Sequence, residues 1–381
     1  MRILHTSDWH LGRIFHGRHL TGEQEYVLEQ FCDVARDARP DVILIAGDVY
    51  DRAVPPVDAV NLLDDVLHRL VVDLKVPIIT IAGNHDSPDR LSFGRRLFHS
   101  HGLAVYGQPQ CPAPVVTLQD GHGPVHFLPI PYAEPPFVRE ALGDEDIAGH
   151  EAALAAQVAA ARAASPAGRC VAVAHCFLTG GQASDSERPL TVGGAGAVPC
   201  SLFDGFAYTA LGHLHRPQSV SCDAVRYSGS LMKYSFDEAN HRKGIVLAEL
   251  DAQGHVSAEL IELKPRLNVR CVTGTLEELL RQGEADPCRD DFIQATLTDE
   301  GALLDAMGQL RRVYPNALQI QRAFLPGGQA AALGGDYRKH TDFDLFCAFY
   351  RQTTGRELGE DTLAALREVL HSLREQNEVG A

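Results

Sequence analysis

Seven side chains able to bind metal stand at the ends of short apolar runs. Asp8 and His10 follow Arg2–His5, Asp48 follows Val42–Ala46, and Asn84 follows Pro77–Ile81. His175 ends the run Cys170–Ala174, and His213 and His215 follow Ala207–Leu211. A lone histidine at a strand end is more often a hydrogen-bonded core residue than a ligand. Asp8-x-His10 and His213-x-His215 differ, because alternate residues of an extended backbone point the same way and can share one ion. Seven ligands are too many for one cation and suit two, provided one carboxylate bridges them. Asp48 is the carboxylate they meet around. Mixed Asp, Asn and His donors suit Mn²⁺, Fe²⁺ or Zn²⁺ better than Mg²⁺, which prefers oxygen and water. Two ions about 3.5–4 Å apart activate water and clamp the oxygens of an in-line displacement at phosphorus. The chemistry these residues imply is phosphoester hydrolysis.

The elements that must position them follow from the same runs. Val42 to Ala46 is unbroken and apolar, as in a strand buried on both faces of a mostly parallel sheet. Gly47 breaks the run and leaves Asp48 past its C-terminal end, where open α/β sheets place their ligands. The spacing predicts helices over Glu23–Arg36, with Tyr26, Val27, Phe31 and Val34 inward, and over Asp58–Leu70, with Leu62, Leu63, Val66, Leu67 and Leu70. A further apolar surface appears at Leu91, Phe93, Leu97 and Phe98; core packing and a self-association face are both open readings of these stripes. A strand at Val125–Leu128, an alanine-rich helix at Asp146–Ala164 and a strand at Gly244–Leu250 complete the first region. The long glycine-rich segment Thr179–Val198 lies beside His175, which favours a functional loop.

The texture changes near Lys264-Pro265. Leu267–Val272, Leu276–Arg281, Phe292–Leu297, Gly301–Val313 and Ala317–Gln321 read as β-α-β-α-β, with Thr275 and Glu278 as a capping box. The domains expected are therefore residues 1–265, a small α/β domain at 266–325, a glycine- and alanine-rich linker at 326–340, and a helical tail at 341–381. The tail carries Leu345, Phe346 and Phe349 on one helical pattern and Leu363, Leu366 and Leu370 on another. Two amphipathic helices behind a tether have little core of their own to cover, so they need another surface.

With 45% hydrophobic and 22% charged residues, the 381-residue chain has an ordinary globular composition, without an apolar stretch long enough to span a bilayer or a signal-peptide core. Nine cysteines with no C-x-x-C argue for reduced thiols in a cytoplasmic protein and against a zinc ribbon. The formal charge of −16 runs against nucleic-acid binding, since phosphate contacts come from Lys and Arg. Bound cations would neutralise part of it. The remainder must lie away from any DNA track, or a partner must supply positive surface.

In order and type, Asp8-x-His10, Gly47-Asp48, Gly83-Asn84-His85-Asp86, Ala174-His175 and Gly212-His213-x-His215 resemble the five motifs of calcineurin-like metallophosphoesterases. More narrowly, SDWHLGR, AGDVYDRAVPP, IAGNHDSPDRL, GGQASDSERPLTVGGAGAVP and YSGSLMKYSFDEA look like the bacterial nuclease branch, related to the archaeal and eukaryotic double-strand-break repair nucleases. The resemblance covers essentially the whole chain. It implies a two-sheet αββα sandwich with a small capping domain and C-terminal partner-binding helices. It implies two Mn²⁺ per chain, one held by Asp8, His10, Asp48 and His215, the other by Asp48, Asn84, His175 and His213. His85 would orient the scissile phosphate or protonate the leaving oxygen. The implied activity is exonuclease on double-stranded ends and endonuclease on single strands and hairpins, with the tail docked on a coiled-coil ATPase that uses the ATP. Leu62, Leu67, Phe93 and Leu97 would lie near a homodimer interface. Archaeal and eukaryotic relatives carry a histidine where Asp51 stands, which leaves His85 without that companion. A phosphatase or cyclic-nucleotide phosphodiesterase would also use the five motifs, but explains neither the second domain nor the tethered helices. A non-catalytic DNA-end scaffold would not need intact ligand motifs and His85.

Overall fold

The computed structural model describes residues 1–188, 196–300, 303–323, 341, 343–344, 346–347, 350–351 and 356–379, with backbone alone beyond residue 370. Two compact units divide it: Met1–Cys271 with Asp290–Ile293, and Val272–Arg289 with Gln294–Ala381.

The first unit is built on two six-stranded sheets. One runs in the order Val256–Glu262, Gly244–Leu250, Arg2–Thr6, Val42–Ala46, Ile78–Ile81, Leu103–Tyr106. Its last four strands are parallel, with Ile3 opposite Val42 and Ala46 opposite Ile81. The other runs Gln218–Val220, Cys222–Tyr227, Tyr208–Gly212, Arg169–His175, Gly123–Ile130, Val116–Asp120, and its four central strands are parallel. Alternation along the strands decides which side chains meet. Ile3, Val42, Leu44, Ala46, Ile79 and Ile81 pack in one cluster with Val125, Phe127, Val171 and Val173 of the other sheet. Leu128, Ala172 and Ala174 turn the opposite way, onto Leu154 and Val158 of the helix Gly149–Ala164. Leu4, Ile43 and Ile45 are equally buried on the outer side of the first sheet, so it too is covered on both faces. Right-handed crossovers between its parallel strands put the helices Thr21–Ala38 and Val57–Leu67 on that side. The result is the αββα sandwich. Each buried aliphatic side chain in it contributes about 1.5–3 kcal/mol.

The parallel strands have a second consequence. Those of each sheet end on the same edge, so every loop that carries a candidate ligand leaves a strand at its C-terminal end.

Some elements depart from the sequence reading. The first helix buries Gln24, Val27, Leu28, Phe31, Cys32 and Ala35, while Tyr26 lies 39% exposed, so the inward stripe is rotated from the one expected. Past Leu67 the second helix loosens into a π-helical stretch, His68–Asp73, that still buries Leu70. The alanine-rich helix begins at Gly149, and a separate helix, Pro135–Leu142, precedes it.

A three-stranded sheet, Val269–Gly274, Phe292–Leu297, Ala317–Arg322, falls mostly in the second unit, which also holds the helices Leu276–Ala285 and Ala306–Val313. The capping box forms in full: the Glu278 amide donates to the Thr275 hydroxyl and the Thr275 amide to the Glu278 carboxylate. Asp305 caps the second helix, which starts later than Gly301. The linker 326–340, Leu345 and Phe349 lie outside the described residues. In the tail, Phe346 is 45% exposed, and Leu363, Leu366 and Leu370 are half-buried on the helix Glu360–Val379.

Candidate metal centre

All seven sequence-selected ligands converge at the shared C-terminal edge. The backbone there is unusual: Asp8, His10, Asp48 and His213 have φ of 53°, 47°, 51° and 106°. Such conformations cost about 1–3 kcal/mol for residues with a side chain and persist only where neighbours impose them. Backbone bonds impose them here, with the Asp8 amide on Gly47 O and the His10 amide on Asp48 O, each at 3.0 Å. The His213 amide donates to the Asp8 carboxylate at 3.0 and 3.1 Å. Glycines allow the approach. A Cβ on Gly83 would run into the Asp48 carboxylate, and one on Gly47 would stand 2.5 Å from the His175 ring.

The donor atoms crowd one another at the spacing of metal ligands. His175 Nδ1 lies 2.9 Å from Ala46 O, a carbonyl that can only accept, so its proton is on Nδ1. Its bare Nε2 then faces Asn84 Oδ1 at 2.9 Å and Asp48 Oδ2 at 3.5 Å. On the other side, the Ser186 hydroxyl donates to Glu238, so His215 Nδ1 donates to Ser186 Oγ at 2.5 Å. That leaves His215 Nε2 without a proton, 3.0 Å from His10 Nε2, and His10 Nε2 is 3.7 Å from Asp48 Oδ2. His213 Nδ1 reaches Asn84 Oδ1 at 3.1 Å. Two groups of ligating atoms thus form, His10 with His215 and His175 with Asn84 and His213, and each has one imidazole nitrogen facing Asp48 Oδ2. Ligands bonded at about 2.1 Å and at right angles to a cation stand about 3.0 Å apart, the spacing found here. The residues fit a divalent ion pair.

Electrostatics favour the same occupant. Burial, then the neighbouring imidazoles, hold His10 and His213 well below the ordinary histidine range, and burial lowers His175. Neutral imidazole is the form that binds metal. Burial and the Asp48 charge push Asp8 well up, a conflict that a cation between the carboxylates would relieve.

His85 is half-buried and fixed at both ends: its amide donates to Asp48 Oδ1 and its Nδ1 to Asp51 O, each at 2.8 Å. Its Nε2 is therefore the free nitrogen, and the ring lies 4.6 Å from that of His10. Asp51 itself pairs with Arg13 at 3.0 Å and faces His10 Nδ1 at 3.5 Å. Of the other selected residues, Leu62 is buried within its own chain at 8% exposure and Leu67 is half-buried, whereas Phe93 and Leu97 are 81% and 64% exposed.

Several positioning residues escaped the sequence reading. Gln24, from the first helix, donates to Trp9 O and His10 O at 3.0 and 2.8 Å and accepts from the Gly12 amide. Asp86 accepts from the amides of Val49, Tyr50 and Gly83, tying the Asp48 loop to the Asn84 loop; burial and Asp48 nevertheless push it up to about 7. Behind His215, Glu238 receives Ser186 and pairs with buried Lys243 at 2.5 Å. Burial would raise Glu238, but Lys243 and His215 outweigh it and hold it well below the carboxylate range. Gln24 occupied a polar slot on a helix and Glu238 one in an acidic turn, where no periodicity marks a buried group. For Glu238 the available signal was its place within the stretch YSGSLMKYSFDEA; Gln24 lies in no such stretch.

Comparison with known proteins supplies the family. Residues 1–217 match the family model described as calcineurin-like phosphoesterase, and residues 265–354 match one described as type 5 capsule protein repressor C-terminal domain. The chain is 31% identical over 361 residues to the SbcD subunit of the nuclease SbcCD from Staphylococcus epidermidis, covering 94% of this chain and 95% of the relative. Among solved structures it is similar to TT1561 of Thermus thermophilus, at 13% identity and TM-score 0.39, over 68% of this chain and 98% of that one. A dimetal phosphatase from Danio rerio aligns at 12% identity and TM-score 0.39, over 70% and 98%. By sequence along nearly its whole length, the chain belongs to the calcineurin-like metallophosphoesterases, in the family of the SbcD subunit of the nuclease SbcCD.

Proposed function

We propose that this chain is a manganese-dependent DNA nuclease subunit that processes double-stranded ends and hairpins together with an SbcC-type ATPase, as a homodimer in the cytoplasm. The observation that carries the chemistry is the pair of imidazole clusters that both face Asp48 Oδ2. Asp8, His10, Asp48 and His215 would hold one Mn²⁺, and Asp48, Asn84, His175 and His213 the other. When bound, such a pair supplies Lewis acidity at the phosphate and lowers the pKa of an attacking water. The protein's share is orientation and proton handling. Asp51 O fixes the His85 tautomer, so that Nε2 is the atom able to carry a proton to the leaving oxygen. Ser186, Glu238 and Lys243 hold the His215 ring, and Gln24 holds the His10 backbone.

The nuclease reading rests on the relative's name and on a match that extends through the second unit, where a small-ester phosphatase needs nothing. The small domain would cap DNA. Phe346, Leu363, Leu366 and Leu370, with Leu345 and Phe349, would dock on the ATPase, and exposed Phe93 and Leu97, with Leu62 and Leu67, would border the dimer contact. The test is direct. Purified chain with Mn²⁺ is offered labelled duplex DNA and p-nitrophenyl phosphate esters in parallel. Cleavage of the DNA is expected; hydrolysis of the esters alone would replace this reading with a phosphatase.

A further inference from the structure

The side chain of Arg13 bonds to no candidate ligand, yet it joins the supports of two of them. Its amide donates to His10 O at 3.0 Å, and its guanidinium lies 5.1 Å over the Tyr234 ring, which meets the His10 and His215 rings edge-on. The guanidinium fork is divided: Nη1 donates to Asp51 Oδ1 at 3.0 Å and Nη2 to Ser186 O at 3.2 Å. Each acceptor leads to the outer nitrogen of a histidine. Ser186 Oγ stands 2.5 Å from His215 Nδ1, and Asp51 Oδ1 faces His10 Nδ1 at 3.5 Å. That His10 nitrogen is buried and has no hydrogen-bond partner among the described residues. His10 Nε2 is the atom turned to His215 Nε2 and Asp48 Oδ2, so a metal-binding His10 carries its proton on Nδ1. A buried donor left unpaired is costly, and the acceptor facing it, Asp51 Oδ1, is about half an ångström beyond an ordinary bond.

We propose that Arg13 is a positioning residue, a clasp that holds Asp51 against His10 and Ser186 against His215, so that both rings present a bare Nε2 to one ion. The inference rests on the two-metal reading of the centre and is independent of the substrate. A ligand histidine takes its tautomer and ring orientation from the group on its other nitrogen. Here one side chain joins the two groups that do this. His175, by contrast, is fixed by a backbone carbonyl, Ala46 O, and neither arm of the Arg13 fork goes to His175, His213 or Asn84. Arg13 therefore acts on one ion of the pair. Its sign separates the clasp from plain electrostatics. A guanidinium beside the site repels a cation, so removing its charge would by itself tighten metal binding. Losing the clasp weakens it.

The test titrates the full metal-free chain with Mn²⁺ and follows the paramagnetic resonance signal of the free ion. The wild type is expected to take up two ions. Arg13→Met keeps an apolar stem over Tyr234 and removes the fork; Arg13→Lys keeps the charge but cannot span both acceptors. Both should weaken one of the two ions about 10–100-fold, the usual worth of a group behind a metal ligand, and leave the other as in the wild type. Cleavage of labelled DNA should then need correspondingly more Mn²⁺ and recover at saturation. Because the clasp works through Asp51, Arg13→Met should cost less in an Asp51→Leu chain than alone. Urea unfolding of the metal-free proteins shows which variants fold, and if Arg13→Met does not, Arg13→Lys decides. Two ions held as in the wild type, both weakened alike, tighter binding, or a lower rate at saturating Mn²⁺ with an unchanged Mn²⁺ requirement each overturn the clasp. A wild type that takes up no pair of ions overturns the two-metal reading itself. A wild type that binds two ions but cleaves no DNA overturns the nuclease reading alone, and the ion titration still decides the clasp.

Discussion

Glu238 offers the sharpest test of how the centre is held. Its side chain is fully buried, Lys243 is 4% exposed, and the two pair at 2.5 Å. Lys243 Nζ also donates to His215 O at 2.6 Å and Ser230 Oγ at 2.9 Å, so the ammonium is held in place whatever happens to its partner. Glu238→Leu strands that ammonium away from water, at a cost of about 3–5 kcal/mol. Lys243→Met strands the carboxylate, at a similar cost. Replacing both removes the charges together, leaving the Tyr234 amide and the Ser186 hydroxyl short of an acceptor, about 1–3 kcal/mol each and so about 2–6 kcal/mol together. Additivity would predict about 6–10 kcal/mol for the double variant, so it should be measurably more stable than the sum of its parts. Urea unfolding of metal-free protein reads this out through Trp9, the single tryptophan, which is buried in the first unit. A double variant as unstable as the sum of its parts would refute the coupling. Glu238 is held below the ordinary carboxylate range, so its stabilisation is present above that range and is lost as pH falls through the folded value.

Four further outcomes are expected. Asp48→Ala should abolish tight metal binding and activity together, because Asp48 Oδ2 faces both histidine clusters; two ions retained in metal analysis would refute its bridging place. His85→Ala should keep both ions and slow DNA cleavage by about 10²–10⁴-fold, and near-normal single-turnover rates at full occupancy would remove it from the chemistry. Burial lowers His5 to about 3, so the unfolded chain takes up its proton first. As pH falls from about 6.5 towards 3, His5 should therefore cost stability at up to about 1.4 kcal/mol per unit, and a His5→Gln variant with an unchanged slope would contradict this. Deleting the residues after Asp336 should leave basal Mn²⁺-dependent cleavage and abolish co-purification with the ATPase; a truncated chain that still binds it would show that the tail was misjudged.

What was legible in the sequence was the part written in apolar runs. Val42–Ala46, Gly244–Leu250 and Phe292–Leu297 form strands over the very residues expected, because each is buried along nearly its whole length and no polar alternation blurs its ends. Val116–Asp120 and Val256–Glu262 went unnoticed, since as edge strands they alternate half-buried and exposed residues and show no run. Tyr26 illustrates a similar limit: helical spacing marks a stripe but not its rotation, and the packed face came out one step away. At the site, ligands announce themselves by type and by place after a strand. Their supports do not, because Gln24, Ser186, Glu238 and Lys243 act across sequence gaps of up to 52 residues through side chains common on any surface.

The strained loops show why those supports are needed. Asp8, His10, Asp48 and His213 all depart from ordinary backbone conformations, and at about 1–3 kcal/mol each the strain is comparable to much of a domain's net stability. Ions alone could offset it, but the centre would then form only when loaded. Instead the strain is met by bonds internal to the protein: Asp8 to Gly47 O, His10 to Asp48 O, His213 to the Asp8 carboxylate, and three amides to Asp86. The bonds run between the loops of the two sheets as well as within each. His213, from the second sheet, is fastened to Asp8 of the first, and His175 to Ala46. The face-to-face packing of the sheets therefore sets the spacing of the two donor clusters, and a divalent metal would enter a frame already fixed to within the span of a hydrogen bond.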